Sequence, residues 1–350
     1  MKSWLALVAF CMPMTVSAVE TVRLENDLVA LEVTPELGGR GLAFSLKGRP
    51  NLLKTGEPLT TRPKPEVSAT ADDIGYLGHD VWVGPQSQWW VHQDANPARR
   101  KARANWPPDP FLAFADTRIV ERTPTRLVLE GVDSPVSGVR LRKAFQLSAD
   151  RPDTVEVRAT ARNIRNTDIA WDLWFNTRTP SYTRVYVPVT GDQDVRVQAS
   201  TEQTIGPLLP HVERGLLSLD RSALGEGMSA RRGKVLIQPS AGWMAGFSSG
   251  QLFLIRFRHH PLSKIHPEQG QVELYLDERA HANAGLLEME VHAPYRTLRP
   301  GEEMEAVEWW TALPYDGADT REAQVAFLCG EAAERLELED LCGNRKKKAP

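Results

Sequence analysis

The sequence predicts an all-β chain folded as a large antiparallel sandwich. Period-two alternation of apolar and polar residues runs through most of it, and 25 Gly and 25 Pro punctuate those runs at turns. No apolar stripe at helical spacing appears before about residue 318. Many half-buried strands, without βαβ alternation or an internal repeat, leave a sandwich as the architecture that buries them.

Residues 1–18 stand apart from this pattern. Lys2 gives a positive start, Trp4 to Met12 is an apolar core too short to span a bilayer, and Val16-Ser17-Ala18 supplies small residues for cleavage. The bulky Phe10 before Cys11 argues against a lipoprotein. The expectation is a signal peptide cleaved before Val19 and a periplasmic or secreted protein. No later stretch reaches the ~20 apolar residues of a membrane span. The remaining 332 of the 350 residues suffice for one large β domain, placed at 19–316, with an appendix at 317–350.

The domain opens with a short alternating strand, a Pro, and then Gly38-Gly39-Arg40-Gly41. Two Pro- and charge-rich loops follow, at 55–70 and 95–110; their length suits either a role in shaping a site or mobility. Between them lies "HDVWVGPQSQWWVH" (79–92), the densest mixture of aromatic and hydrogen-bonding residues in the chain. "RIVERTPTRLVLEG" (118–131) reads as two strands around Thr-Pro-Thr. "VRLRKAFQL" (139–147) alternates with Lys143 as the exception, and "TVEVRATAR" (154–162) alternates throughout. Three apolar runs occupy 234–257, and "VELYLD" (272–277), "LLEMEVHAP" (286–294) and "MEAVEWWTAL" (304–313) complete the strands.

Only beyond residue 318 does helical spacing appear, at Val325, Leu328, Ala332 and Leu336, with Gly330 as the expected break. Cys329 and Cys342 are the two cysteines left after maturation, an even count that favours a disulfide in an exported chain. One continuous helix would hold them about 20 Å apart, against the ~7 Å limit for a disulfide. Either the chain turns back between them or they stay unpaired. The closing "NRKKKAP" reads as a solvated tail.

Composition narrows the function. A net charge of −3 gives no sign of nucleic acid, and ten Trp outnumber six Tyr. Several Trp sit beside polar residues, an arrangement suited to a sugar, whose C–H face stacks while its hydroxyls need partners. Any single Trp serves equally well in a β core. His259, His260 and His266 fit no zinc spacing, and adjacent His on a strand point to opposite faces, so no metal or other cofactor is expected.

The order of motifs resembles the galactose mutarotase-like (aldose 1-epimerase-like) superfamily. It is carried by "VTPELGGRGLAF", "YLGHDVWVGPQSQWW", the strand pair at 141–174 with Asn163 at its turn, and "L-R-P-G-E" before a Trp-bearing strand. The resemblance implies a supersandwich of two large twisted sheets, with a sugar cleft on a concave face and Arg40 delivered to it by the glycine turn. Glycines permit the sharp turn, and a guanidinium suits vicinal hydroxyls or a carboxylate; a structural ion pair is the alternative. The Asn-His-x-Tyr-Phe-Asn-Leu strand that carries the general acid of true aldose 1-epimerases is absent.

Mutarotation or epimerisation needs a base for the anomeric hydroxyl and an acid for the ring oxygen. The catalytic candidates are Glu288 with His79 and His92, and Glu273 is a rival base. Glu288 and Glu290 share a strand face opposite Leu287, Met289 and Val291, which is also how an ordinary outer face looks. The binding candidates are Arg40, Asp80, Trp82, Gln86, Trp90, Trp174, Asn176 and Glu273, with Arg178 on the same strand as the last pair of aromatic and amide groups. Trp82 or Trp90 is expected to stack on the sugar. Two functions stay open, a sugar-active isomerase and a non-catalytic carbohydrate-binding protein; no motif marks a lyase or hydrolase. The expected partner is a saccharide or sugar acid bound by a monomer.

Overall fold

The computed structural model describes residues 19–220, 224–279 and 285–335. The signal segment, Leu336, Cys342 and the basic tail lie outside them, so the expectations placed there are neither met nor refused. Within them the strands pair almost wholly antiparallel, as two large sheets face to face.

The larger sheet has eleven described strands. Its central path runs Arg40–Leu46, His79–Gly84, Ile169–Pro180, Leu286–His292, Val272–Arg279, Ala230–Ile237. Val22–Glu25 and Val29–Thr34 extend one edge, and Val195–Ala199 closes the other. The second sheet has ten strands, with Gln251–Phe257, Glu303–Pro314, Thr154–Asn163, Val139–Leu147 and Arg126–Asp133 side by side. Each alternating run read from the sequence is a strand, within a residue or two at its ends.

One large core fills the space between the sheets. Phe175, Leu173, Met289, Leu287 and Leu274 descend from the larger sheet onto Phe145, Val157, Phe253 and Trp310 of the second. The alternate residues of the larger sheet face away from this core and build the site.

A second core lies on the outer side of the second sheet. The helix Arg321–Phe327 continues through a wider, π-type turn at Leu328–Ala332 and seals Leu252, Leu254, Phe247 and Tyr186. That cover explains why Trp243–Ser248 and Gln251–Phe257 read as apolar runs rather than alternating strands: both of their faces are dry. Gly330 does not break the helix as expected. A Cβ there would meet nothing within 4 Å, and the widened turn carries the helix through it.

Candidate functional site

The sequence of His79–Gly84 alternates, and each half of it goes to a different side. His79, Val81 and Val83 point into the core, while Asp80, Trp82 and Gly84 face outward beside Asn176, Trp174 and Asp172 of the neighbouring strand. On the next strand Glu288, Glu290 and His292 stand opposite Arg178, Asn176 and Trp174. Glu273 then faces Glu290, and Lys234 faces Tyr275. Five strands thereby bring charged, amide and indole groups onto one surface.

A cleft of about 500 Å³ lies over this surface. Its floor is Trp174, Lys234 and Glu273, with Arg196 and Gln198 from the edge strand. Its rim is Gln86, Asn105 and Gln269, so the loop at 95–110 does shape it. Gln86 donates from Nε2 to the Asn105 carbonyl at 2.7 Å, joining the two rim segments. Gly84 is required where the strand enters the rim: a Cβ there would fall 2.4 Å from Gln269 Nε2 and 2.6 Å from Asp172 Oδ1.

Lys234 organises the charges. Its Nζ lies 2.7 Å from Glu273 Oε2, 2.8 Å from Glu290 Oε2 and 4.7 Å from the Trp174 ring centre. Behind Glu273, His292 stands between two carboxylates, 3.6 Å from Glu273 Oε1 and 3.4 Å from Asp172 Oδ2. Burial disfavours its charge, yet Glu273 and Asp172 outweigh burial and raise the imidazole to about 9. Burial likewise opposes ionisation of Glu273, but Lys234 and His292 bring it down to about 2. Glu290 goes the other way: burial, with the charges of Glu288 and Glu273, prevails over Lys234 and pushes it up to about 7. Asn176 Nδ2 donates to Glu290 Oε1 at 2.9 Å.

The expected residues divide between this cleft and other places. Glu273, Trp174 and Gln86 line it, and Asn176 supports it from below. Glu288 sits beside it, with Oε1 2.9 Å from Arg178 Nε, and Arg178 stacks over Trp82 at 4.7 Å. Neither histidine proposed as its partner reaches it. His79 is fully buried between the sheets, its Nδ1 2.9 Å from Thr177 Oγ1 and its ring edge-on to Trp310 at 4.6 Å. Strand parity placed it on the core side, and burial lowers its pKa well below the ordinary value, so it stays neutral. His92 is exposed at the end of a turn and contacts Gln88 Oε1 at 3.0 Å.

Arg40 is not delivered to the cleft. The glycine turn buries it under Asp80, with Nη2 2.8 Å from Asp80 Oδ2 and 2.9 Å from the Ala113 carbonyl, and Nη1 2.7 Å from the Leu77 carbonyl. Lys143, the residue that broke the alternation of its strand, crosses from the second sheet to place Nζ 2.9 Å from Asp80 Oδ1. A lysine on a core face is thus explained by a buried carboxylate opposite it. Asp80, expected to bind ligand, instead closes this network.

Neither Trp82 nor Trp90 offers a free face. Trp82 is enclosed by Trp89, Trp106, Trp174 and Arg178. Trp90 is fully buried, donating to the Pro107 carbonyl at 2.8 Å beneath Arg99. Trp174 is the indole beneath the cleft, but it too is covered, by Lys234 over its ring and by the stacked Trp89. Sequence reasoning missed Lys234, His292, Asp172 and Gln269; for His292 the signal was present, since it continues the two-residue step of Glu288 and Glu290.

The fold is that of galactose mutarotase-like proteins. Its fold matches that of the Slr1438 protein from Synechocystis with a TM-score of 0.56 and 13% identity, covering 87% of this chain and 100% of that one. It also matches a galactose mutarotase-like protein from Clostridium acetobutylicum at 0.52 and 10% identity, covering 84% and 95% of the two chains. A putative aldose 1-epimerase from Klebsiella pneumoniae matches at 0.51 and 10%, covering 92% and 83%. No curated protein matches the sequence. The chain belongs to the family described as a domain of unknown function, DUF4380, whose model matches residues 19–313.

Proposed function

We propose that this protein binds a saccharide or sugar acid in the cleft over Trp174. The observation that carries the proposal is the meeting of Trp174, Lys234, Glu273 and Gln198 on one floor under the amide groups of Gln86, Asn105 and Gln269. The amides, ammonium and carboxylate supply donors and acceptors for hydroxyls, while Trp174, covered by Lys234 and Trp89, forms the apolar base beneath them. The fold supports this, because solved structures that share it include ones described as mutarotase-like or as putative epimerases. The signal-like residues 1–18 support a site of action outside the cytoplasm, and the even cysteine count supports a Cys329–Cys342 disulfide.

A second reading, sugar isomerase, is favoured by one feature. Proton abstraction at neutral pH is served by a group that titrates there; Glu290, raised to about 7, is fully buried and would exchange a proton with the cleft only through Lys234, 2.8 Å from its Oε2. Glu273, held down by Lys234 and His292, is a weak base and a good hydroxyl acceptor.

Titration of the protein with neutral hexoses and hexuronates, read by tryptophan fluorescence, tests binding. At least one class should quench or shift the emission, and Glu273→Gln should weaken it by about tenfold, the loss of one charge-assisted hydrogen bond. No response to any of them removes the cleft proposal. Anomer interconversion followed by NMR separates the two readings: a rate above buffer that Glu290→Gln abolishes establishes the isomerase, and a buffer rate with intact binding establishes the binder.

A further inference from the structure

A second polar depression, of about 480 Å³, lies on the outer face of the other sheet. Its floor is the small residues Ala144 and Thr160, on adjacent strands. Five arginines surround it: Arg126, Arg140, Arg142, Arg158 and Arg162. Three are engaged with acids. Arg126 Nε is 3.1 Å from Glu121 Oε2, Arg140 Nε is 2.7 Å from Asp133 Oδ1, and Arg158 pairs with Glu156 and Glu305.

Arg142 and Arg162 are different. Both are exposed, and neither makes a side-chain hydrogen bond or ion pair with a described residue. The strand register also sets Arg140 directly opposite Arg162. Like charges facing each other across a ladder destabilise it; on their other sides Arg142 faces Glu130 and Arg162 faces Glu303, but neither guanidinium is bonded to that carboxylate, so both forks stay open to an anion. The depression is not uniformly basic, because Glu130, Glu303 and Glu305 are part of its wall. Those carboxylates repel an unbroken row of phosphates but accept hydrogen bonds from hydroxyls.

We propose that this depression binds an acidic oligosaccharide, with Arg142 and Arg162 taking a sugar carboxylate and the interleaved glutamates taking neighbouring hydroxyls. A guanidinium fork matches a carboxylate in two parallel hydrogen bonds. The site is on the opposite sheet from the cleft and does not depend on what the cleft binds.

The test is calorimetric titration of the full chain with tetragalacturonate, beside neutral galactotetraose and a single-stranded oligonucleotide of similar charge. Tetragalacturonate should bind, and more weakly as salt rises. The variant Arg142→Gln/Arg162→Gln should lose about tenfold or more in affinity. Charge reversal by Arg142→Glu alone should produce a comparable loss. Monosaccharide titration of the cleft should be the same in these variants as in the parent; if the parent binds no monosaccharide yet holds the acidic tetramer through the arginines, the cleft proposal alone fails. Undiminished tetramer affinity in both arginine variants, or equal affinity for the neutral tetramer or the oligonucleotide, overturns the depression as an acidic-saccharide site.

Discussion

Asp80 accepts four hydrogen bonds while fully buried: from Lys143 Nζ and its neighbour's Val81 amide on Oδ1, and from Arg40 Nη2 and Trp82 Nε1 on Oδ2. Burial works against its ionisation, but Arg40 and Lys143 outweigh burial and keep the carboxyl below its ordinary pKa. Each cation in turn is buried, and burial lowers the pKa of both. The three charges are tolerable only together. Asp80→Asn leaves two buried cations uncompensated and should destabilise the protein by about 3–5 kcal/mol, measured by urea unfolding; a change below about 1 kcal/mol would contradict this assignment. The same network fixes Trp82, and through it Arg178 and Glu288. Arg40 therefore acts on the cleft as support, and Arg40→Ala should unfold the protein rather than simply weaken binding.

At the scale of elements, the glycine turn at 38–41 is where local backbone freedom sets the position of a strand. Gly38 has φ +70°, and a Cβ there would lie 2.2 Å from the Leu112 carbonyl oxygen. Gly39 shares the same φ, with Leu129 Cδ1 3.0 Å away. The turn therefore packs its backbone against the short helix Pro110–Ala113, whose Ala113 carbonyl also receives Arg40. Gly38→Ala combines a strained φ with a backbone clash and should cost about 2 kcal/mol or more, visible as a lowered denaturation midpoint; wild-type stability would mean the turn is not fixed as described. The turn was legible in the sequence, as were the strands, because both follow from local rules: glycine for φ above zero, period two for a pleat. The depth at which the arginine ends was not, since Asp80, forty positions away, decides it.

For the molecule as a whole, the buried titratable groups give stability a definite pH dependence. Asp80 and Glu273 have depressed pKa values, Glu273 to about 2, so their contribution is present above the ordinary carboxylate range and is lost as pH falls through the folded values. His292 is raised to about 9; its contribution is full below the unfolded value of about 6.5 and is lost as pH rises towards about 9. Glu290 and Glu308 are raised to about 7 and about 8, chiefly by burial, so the folded state holds protons that the unfolded state has released, and stability falls through that range. Maximum stability should therefore lie between about pH 4 and 6. Thermal melts across pH 3–10 check this, and a maximum near pH 9 would refute it. Glu308→Gln keeps an acceptor for Trp310 Nε1, now 2.7 Å from Glu308 Oε2, and should flatten the alkaline side.

The sequence by itself determined the class of fold, the strands, the face shared by Glu288, Glu290 and His292, and the terminal helix. These depend on periodicities that each segment carries within itself. Only the tertiary structure decided which face of each strand was the site. His79 and Asp80 are adjacent, and the pleat sends one to the core and the other to a charge cluster; nothing local says which. Tertiary structure also set Trp174, rather than Trp90, beneath the cleft and covered all three indoles, because the covering side chains come from distant segments. Lys234 meets Glu273 and Glu290, and Lys143 meets Asp80, only through sheet register and the approach of the two sheets. Charges buried at such meetings are held by partners far along the chain, and a sequence gives the residues without the distances that make them a site.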